Sequence, residues 1–283
     1  MNMAARARIR GPVAWSIAVS AGVCLLVLAI TGGAGGHSSA ALPSGIAAPR
    51  GDLDGWRQVF VDDFTGTDLA ETDWGRYSGV PSGDPESFWL PSHTIVRDGM
   101  LVLQGYHEYG RMVTGGVGMW PHPQQYGKWE VRVRADASDE VTYHLLLWPQ
   151  NEVWPPEIDF AENFGGSRDY LDAFLHWTDR AGKADKSEQV LDGDFTQWHT
   201  LGVEWLPGEI RYTIDGRVWG TETGTRVPSV PMWLGIQAQA DGCRKALAEG
   251  APPCPWAGTP ALTEIQIDWV SVYEPVTIAE QGR

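Results

Sequence analysis

The chain has 283 residues and is short of cysteine, of positive charge and of helical periodicity. Of its three cysteines, only Cys243 and Cys254 lie beyond residue 24. A zinc site needs more ligands than the segment between them offers. Lys and Arg number 21 against 36 Asp and Glu, a net charge of −15. No basic surplus is left for a phosphate backbone, so nucleic acid is excluded as an expected partner. No long stretch keeps a 3.6-residue apolar period with caps, which argues against a helical architecture. No internal repeat is evident.

Long apolar runs are also scarce. One occurs, Val13–Ile30, 18 residues without a charge, behind Arg6, Arg8 and Arg10. Small and polar residues follow to Ala41. Residues 1–41 therefore read as an export signal, with a cleavage candidate near Ser39–Ala41. The run exceeds the ~7–15 residues usual for a signal and nears the ~20 of a spanning helix, so an uncleaved N-terminal anchor is the alternative. Both readings put the rest of the chain outside the cytoplasm, secreted or membrane-anchored, because the arginines stay inside. Removing residues 1–41 takes away three arginines and no acids, so −15 becomes −18. In an oxidising compartment a lone cysteine pair defaults to a disulfide, here Cys243–Cys254. Residues 42–55 read as a flexible linker, 56–275 as one domain and 276–283 as a tail.

What the chain has in quantity is Gly (34), Pro (19) and Trp (15). The tryptophans serve either as core or as platforms for flat ligands such as sugars. Alternation of period 2 recurs through the body. In Lys128–Arg134, Trp129, Val131 and Val133 share one face, and Glu130, Arg132 and Arg134 the other, as in a half-buried strand. Asp215-Gly216 and Asp98-Gly99 mark tight turns. Ala246–Glu249 is a candidate helical turn. Many short strands with abundant Gly and Pro predict an all-β sandwich of two packed antiparallel sheets.

The chemistry concentrates in Glu157-Ile-Asp-Phe-Ala-Glu162. Glu157 and Asp159 share one strand face, and Ile158 and Phe160 point into the core. Strict alternation would turn Glu162 inward, where an unpaired carboxylate costs several kcal/mol. A β-bulge at Phe160-Ala161 restores it to the face of the other two acids. The glutamates then lie about 13 Å apart at Cα, four strand steps of roughly 3.3 Å. Leaning over Asp159, their carboxyls approach the ~5–5.5 Å of a retaining glycosidase. Crowding splits the three pKa values, as a nucleophile and a general acid require. In isolation Glu-x-Asp-x-x-Glu is equally an acidic edge or a calcium site. The flanking Trp148 and Trp154, with apolar residues at alternate positions, favour the catalytic reading.

This segment resembles the signature of the laminarinase-like branch of glycoside hydrolase family 16. The resemblance extends to Val61-Asp-Asp-Phe64, Tyr126–Arg132, Trp198–Trp205, Tyr212–Gly216, Pro231–Leu234 and Ile267–Tyr273. It implies a β-jelly roll whose concave sheet forms a polysaccharide cleft, and retaining hydrolysis within β-linked glucans or galactans. It further implies Glu157 as nucleophile, Glu162 as acid/base and Asp159 as the residue orienting the nucleophile. Pro156 replaces the usual Gly before the nucleophile, and Leu146 stands where a cleft tryptophan often sits. Those departures touch the walls of the cleft and leave the acids intact. The resemblance also raises a structural calcium on the convex side with Asp268 as its side chain, while catalysis requires no cofactor.

Strand parity supplies the other cleft candidates: Trp148 and Trp154 beside the acids, Trp233 and Gln237 from one strand, and Trp120 as a loop wall. His176 is either a cleft residue or a hydrogen-bonded structural histidine. Trp129, Trp205 and Trp269 are assigned to the core. The expected function is an exported, monomeric endo-β-glycanase acting on a polysaccharide, β-1,3-glucan first. A cell-envelope transglycosylase, a hydrolase of another β-glycan such as a galactan, and a non-catalytic lectin-like module are the alternatives.

Overall fold

The computed structural model describes residues 42–248, 250 and 257–276. Its strands, in chain order, are β1 (Trp56–Asp62), β2 (Gly75–Arg76), β3 (Thr94–Arg97), β4 (Met100–Glu108), β5 (Arg111–Val113), β6 (Gly116–Gly118), β7 (Gly127–Ala135) and β8 (Thr142–Pro149). They continue with β9 (Glu157–Asn163), β10 (Tyr170–Thr178), β11 (Ala184–Asp192), β12 (His199–Leu206), β13 (Glu209–Ile214), β14 (Arg217–Thr223), β15 (Met232–Gln239) and β16 (Thr263–Pro275). One short helix, α1 (Gly242–Ala248), precedes β16. It starts earlier than the single turn expected at 246–249.

The strands form two antiparallel sheets, as the alternation predicts. The nine-stranded sheet runs β14-β13-β12-β7-β16-β4-β3, with β1 on β16 and β5 on β4. The seven-stranded sheet runs β11-β10-β9-β8-β15-β6-β2. Both Asp-Gly turns have positive φ at both residues: 53° and 73° at Asp98-Gly99, 48° and 75° at Asp215-Gly216. That geometry matches the twist of the strands they join.

Between the sheets lies the core. Trp129, Val131 and Val133 of β7 meet Leu145, Leu147, Ile158, Phe160, Leu171, Ala173 and Leu175 from the other sheet. Trp205 also packs there, its indole donating to Pro228 O at 3.0 Å. Alternate residues of the seven-stranded sheet point away from that core and make its outer face, on which the acids stand.

One expectation needs adjustment. Residues 42–55 are not a loose linker. Ser44 N–H donates to Asp268 Oδ2 (3.1 Å), Trp269 Nε1–H to Ile46 O (3.2 Å) and Gln58 Nε2–H to Pro49 O (2.9 Å). Composition predicted low order because two of the three partners are far along the chain, in β16. Residues 1–41, Cys254 and the tail beyond Val276 lie outside the described residues, so the leader and the expected Cys243–Cys254 bond do too.

Candidate active site

β9 carries the bulge. Across it, β8 pairs Leu145 with Ala161 and Leu146 with Asp159, which leaves Phe160 as the extra residue. On the other side, β10 pairs Asp172 with Glu162 and Phe174 with Asp159. Phe160 and Ala161 both enter the core, while Glu157, Asp159 and Glu162 stand together on the outer face.

Each acid has its own neighbours. Trp154 Nε1–H donates to Glu157 Oε2 at 2.7 Å. His176 Nε2 lies 3.1 Å from Asp159 Oδ2, with Asp159 buried and His176 partly open. Glu162 Oε1 contacts His144 Nδ1, and His144 Nε2 lies 2.8 Å from Thr142 Oγ1. These settings separate the three pKa values. Burial, then the neighbouring Asp159 charge, pushes Glu157 well up. Burial, then Glu162, does the same to Asp159. Burial also pushes Glu162 up, but the charge and hydrogen bond of His144 outweigh it and hold Glu162 below its ordinary value.

The acids sit in an aromatic field. Trp148 of β8 and Trp233 of β15 are paired across the strands. Both indoles donate to one carboxylate, Glu152, at 2.9 and 3.3 Å. Trp120 is 45% exposed, stacks on Tyr77 and meets Trp233 edge-on, both at 6.0 Å. Its ring lies over Gly75 and Gly118, where an added Cβ would come within 1.6 and 2.7 Å of it. Gln237 stands opposite His144 on one side and Gly116 on the other. Trp154 lies 5.7 Å from His176. The predicted cleft residues therefore fall on the outer face around the acids. Trp129, Trp205 and Trp269 are buried away from it.

Sequence reading missed four residues. His144 shares parity with Leu146 and Trp148, so the signal was present. Lys186, across from His176 and 4.5 Å over the Phe174 ring, follows the same logic. Glu152 and Tyr77 stand outside the strands, where parity says nothing. Tyr77 belongs to the site because the nearby Glu152 and Glu157 charges, after burial itself, push its hydroxyl pKa up.

Neither candidate cation site has a convincing donor set. Donor atoms of Glu157, Asp159 and His176 lie within 4.8 Å of one another, the only such group among the described residues. Trp154 and His176 already engage the two carboxyls, which leaves them fewer free lone pairs for a metal. Asp268, the calcium candidate, accepts the Ser44 N–H and interacts with the Arg132 guanidinium. A carboxylate already compensated by a cation is a poor calcium ligand, so no step below uses one.

The comparisons agree with this geometry. Residues 86–271 match the model of "Glycosyl hydrolases family 16". The chain is 25% identical over 192 residues to a beta-glucanase of Rhodothermus marinus, covering 58% of this chain and 64% of that protein. It thus spans under two thirds of that relative's length. It is 27% identical over 214 residues to a glucan endo-1,3-beta-glucosidase of Cryptopygus antarcticus, covering 65% and 74%. The catalytic domain of an endo-1,3-beta-glucanase (laminarinase) from Thermotoga petrophila RKU-1 superposes with a TM-score of 0.65 at 19% identity, over 78% of this chain and 99% of that one. Sandwich, bulged strand and matched span together make this chain a member of glycosyl hydrolase family 16.

Proposed function

We propose that the protein is a retaining endo-β-glycanase and that β-1,3-glucan is its substrate. The bulge carries the reading, because it is the device that puts Glu157, Asp159 and Glu162 on one aromatic-lined face. Glu157 attacks the anomeric carbon while Glu162 protonates the leaving oxygen. A glycosyl-enzyme forms, and water that gives its proton to Glu162 releases the sugar. Asp159, between the two, holds and tunes the nucleophile. The Trp148–Trp233 pair and Trp120 offer flat apolar rings to sugar faces. The relatives named glucanases support the glucan over other β-linked polymers. The export signal expected over residues 1–41 supports action outside the cytoplasm.

A polysaccharide panel with reducing-end detection tests the substrate, with laminarin expected to be cut fastest. Glu162→Gln should lower kcat by about 10²–10⁴-fold, and Glu157→Gln should abolish turnover, both with the fold intact. Near-wild-type turnover in either variant would sink the role assigned to it. Proton NMR of the first product should show the β-anomer, whereas an α-anomer excludes the double displacement.

A further inference from the structure

His144 is an ionisable neighbour of the acids with no part in the reaction as described. Its ring is buried on β8, opposite Gln237, with Phe164 edge-on at 5.9 Å. The Thr142 hydroxyl bridges two groups, His144 Nε2 at 2.8 Å and the Gln239 carbonyl oxygen at 3.3 Å. A carbonyl only accepts, so the Thr142 proton goes to Gln239 O. Thr142 Oγ1 then accepts from His144 Nε2–H. Nδ1 is left as the ring position that gains or loses a proton, and Nδ1 is the atom that meets Glu162 Oε1.

We propose that His144 and Glu162 hold one proton between Nδ1 and Oε1 as a unit, which Glu162 delivers to the leaving oxygen. His144 is thus a positioning residue for Glu162, and the inference rests on Glu162 being the acid/base. The side chains are 5% and 13% exposed, so water does little to stabilise a fully deprotonated pair. Losing the proton would set the Glu162 carboxylate against a nitrogen lone pair. Asp159 on β9 and Asp172 opposite on β10 add negative charge. His176 and Lys186 face Glu162 from the β10–β11 side. On the α1 side Lys245 is paired with Asp84 at 2.5 Å, so their charges offset. During cleavage the bonding electrons of the glycosidic C–O bond go to the leaving oxygen, which takes the pair's proton. The attacking water returns one proton in the second step, so the pair's count is restored.

The test uses the whole chain labelled with 15N-histidine. In the wild type, the His144 15N shifts should change over a higher pH range than they do in Glu162→Gln. In kinetics, His144→Asn keeps a polar group near Nδ1 but cannot titrate. It should move the basic limb of kcat/KM down by about one pH unit with KM little changed. Thr142→Val should move it the same way by less. A wild-type His144 whose 15N shifts change over the same pH range as in Glu162→Gln overturns the shared proton. An unmoved basic limb in His144→Asn beside an inactive Glu162→Gln does the same. An active Glu162→Gln instead overturns the acid/base assignment on which the inference stands.

Discussion

The three acids do not share the cost of their crowding equally. Glu157 and Asp159 are pushed up, first by burial and then by a neighbouring carboxylate. A carboxyl raised in the folded state costs nothing at a pH below its unfolded value, where both states are protonated. The cost grows as pH rises from the unfolded towards the folded value. Glu157→Gln should therefore raise the midpoint of thermal unfolding at pH 7. The gain should fade as the pH drops through the carboxylate range, and calorimetry at several pH values checks both parts. A variant less stable than wild type at pH 7 contradicts the raised value. Glu162 behaves in the opposite sense. His144 holds it below its ordinary value, so its contribution is present above the unfolded value and lost as pH falls through the folded one. The same strand thus carries residues kept for chemistry at a cost in stability.

At the scale of elements, the bulge in β9 decides where the third acid points. Deleting Ala161 removes the extra residue while leaving Phe160 for the core. Glu162 would then stand two residues after Asp159, so strict alternation keeps it on the face of Glu157 and Asp159. The expected result is retained hydrolysis on laminarin, because the acids keep their face and their four-step spacing. Abolished hydrolysis in a folded variant would show that the bulge does more than set which way Glu162 points. This element was legible in the sequence because a misplaced carboxylate has one inexpensive remedy, and the spacing of Asp159 and Glu162 displays it. Trp233 and Gln237 were legible for the same reason, since period 2 assigns a face. His144 was available to that argument but lacked the acidic company in sequence that drew attention to β9. Glu152 and Tyr77 were beyond it. Their place depends on how loops return over the sheet, as when Glu152, at φ 58°, brings one carboxylate under two indoles. Helix α1 was underestimated because its first residue, Gly242, is a poor helix former.

For the molecule as a whole, the least legible part was residues 42–55. Their large apolar side chains Leu42, Ile46 and Leu53 are exposed, and what fastens them is a set of single hydrogen bonds to β1 and β16. A chain beginning at Trp56 would lose these and leave Asp268 with the Arg132 charge but without the Ser44 N–H. At about 1 kcal/mol net per hydrogen bond, it should lose roughly 2–4 kcal/mol in denaturant unfolding. The kcat on laminarin should not change, because this segment packs on the sheet opposite the acids. A drop in kcat with unchanged stability would place the segment in the site instead. No described helix is long and apolar enough to cross a membrane.

β16 joins β1, β4 and β7 at once, and Trp56 at the start of the domain pairs with Pro275 at its end. A ribosome working from the N-terminus has therefore synthesised almost everything before the strand that unites the nine-stranded sheet appears. Until then β1 has no partner, and β4 and β7 each expose an edge. Folding must wait for the last part of translation and then make contacts of very long sequence separation, which slows it.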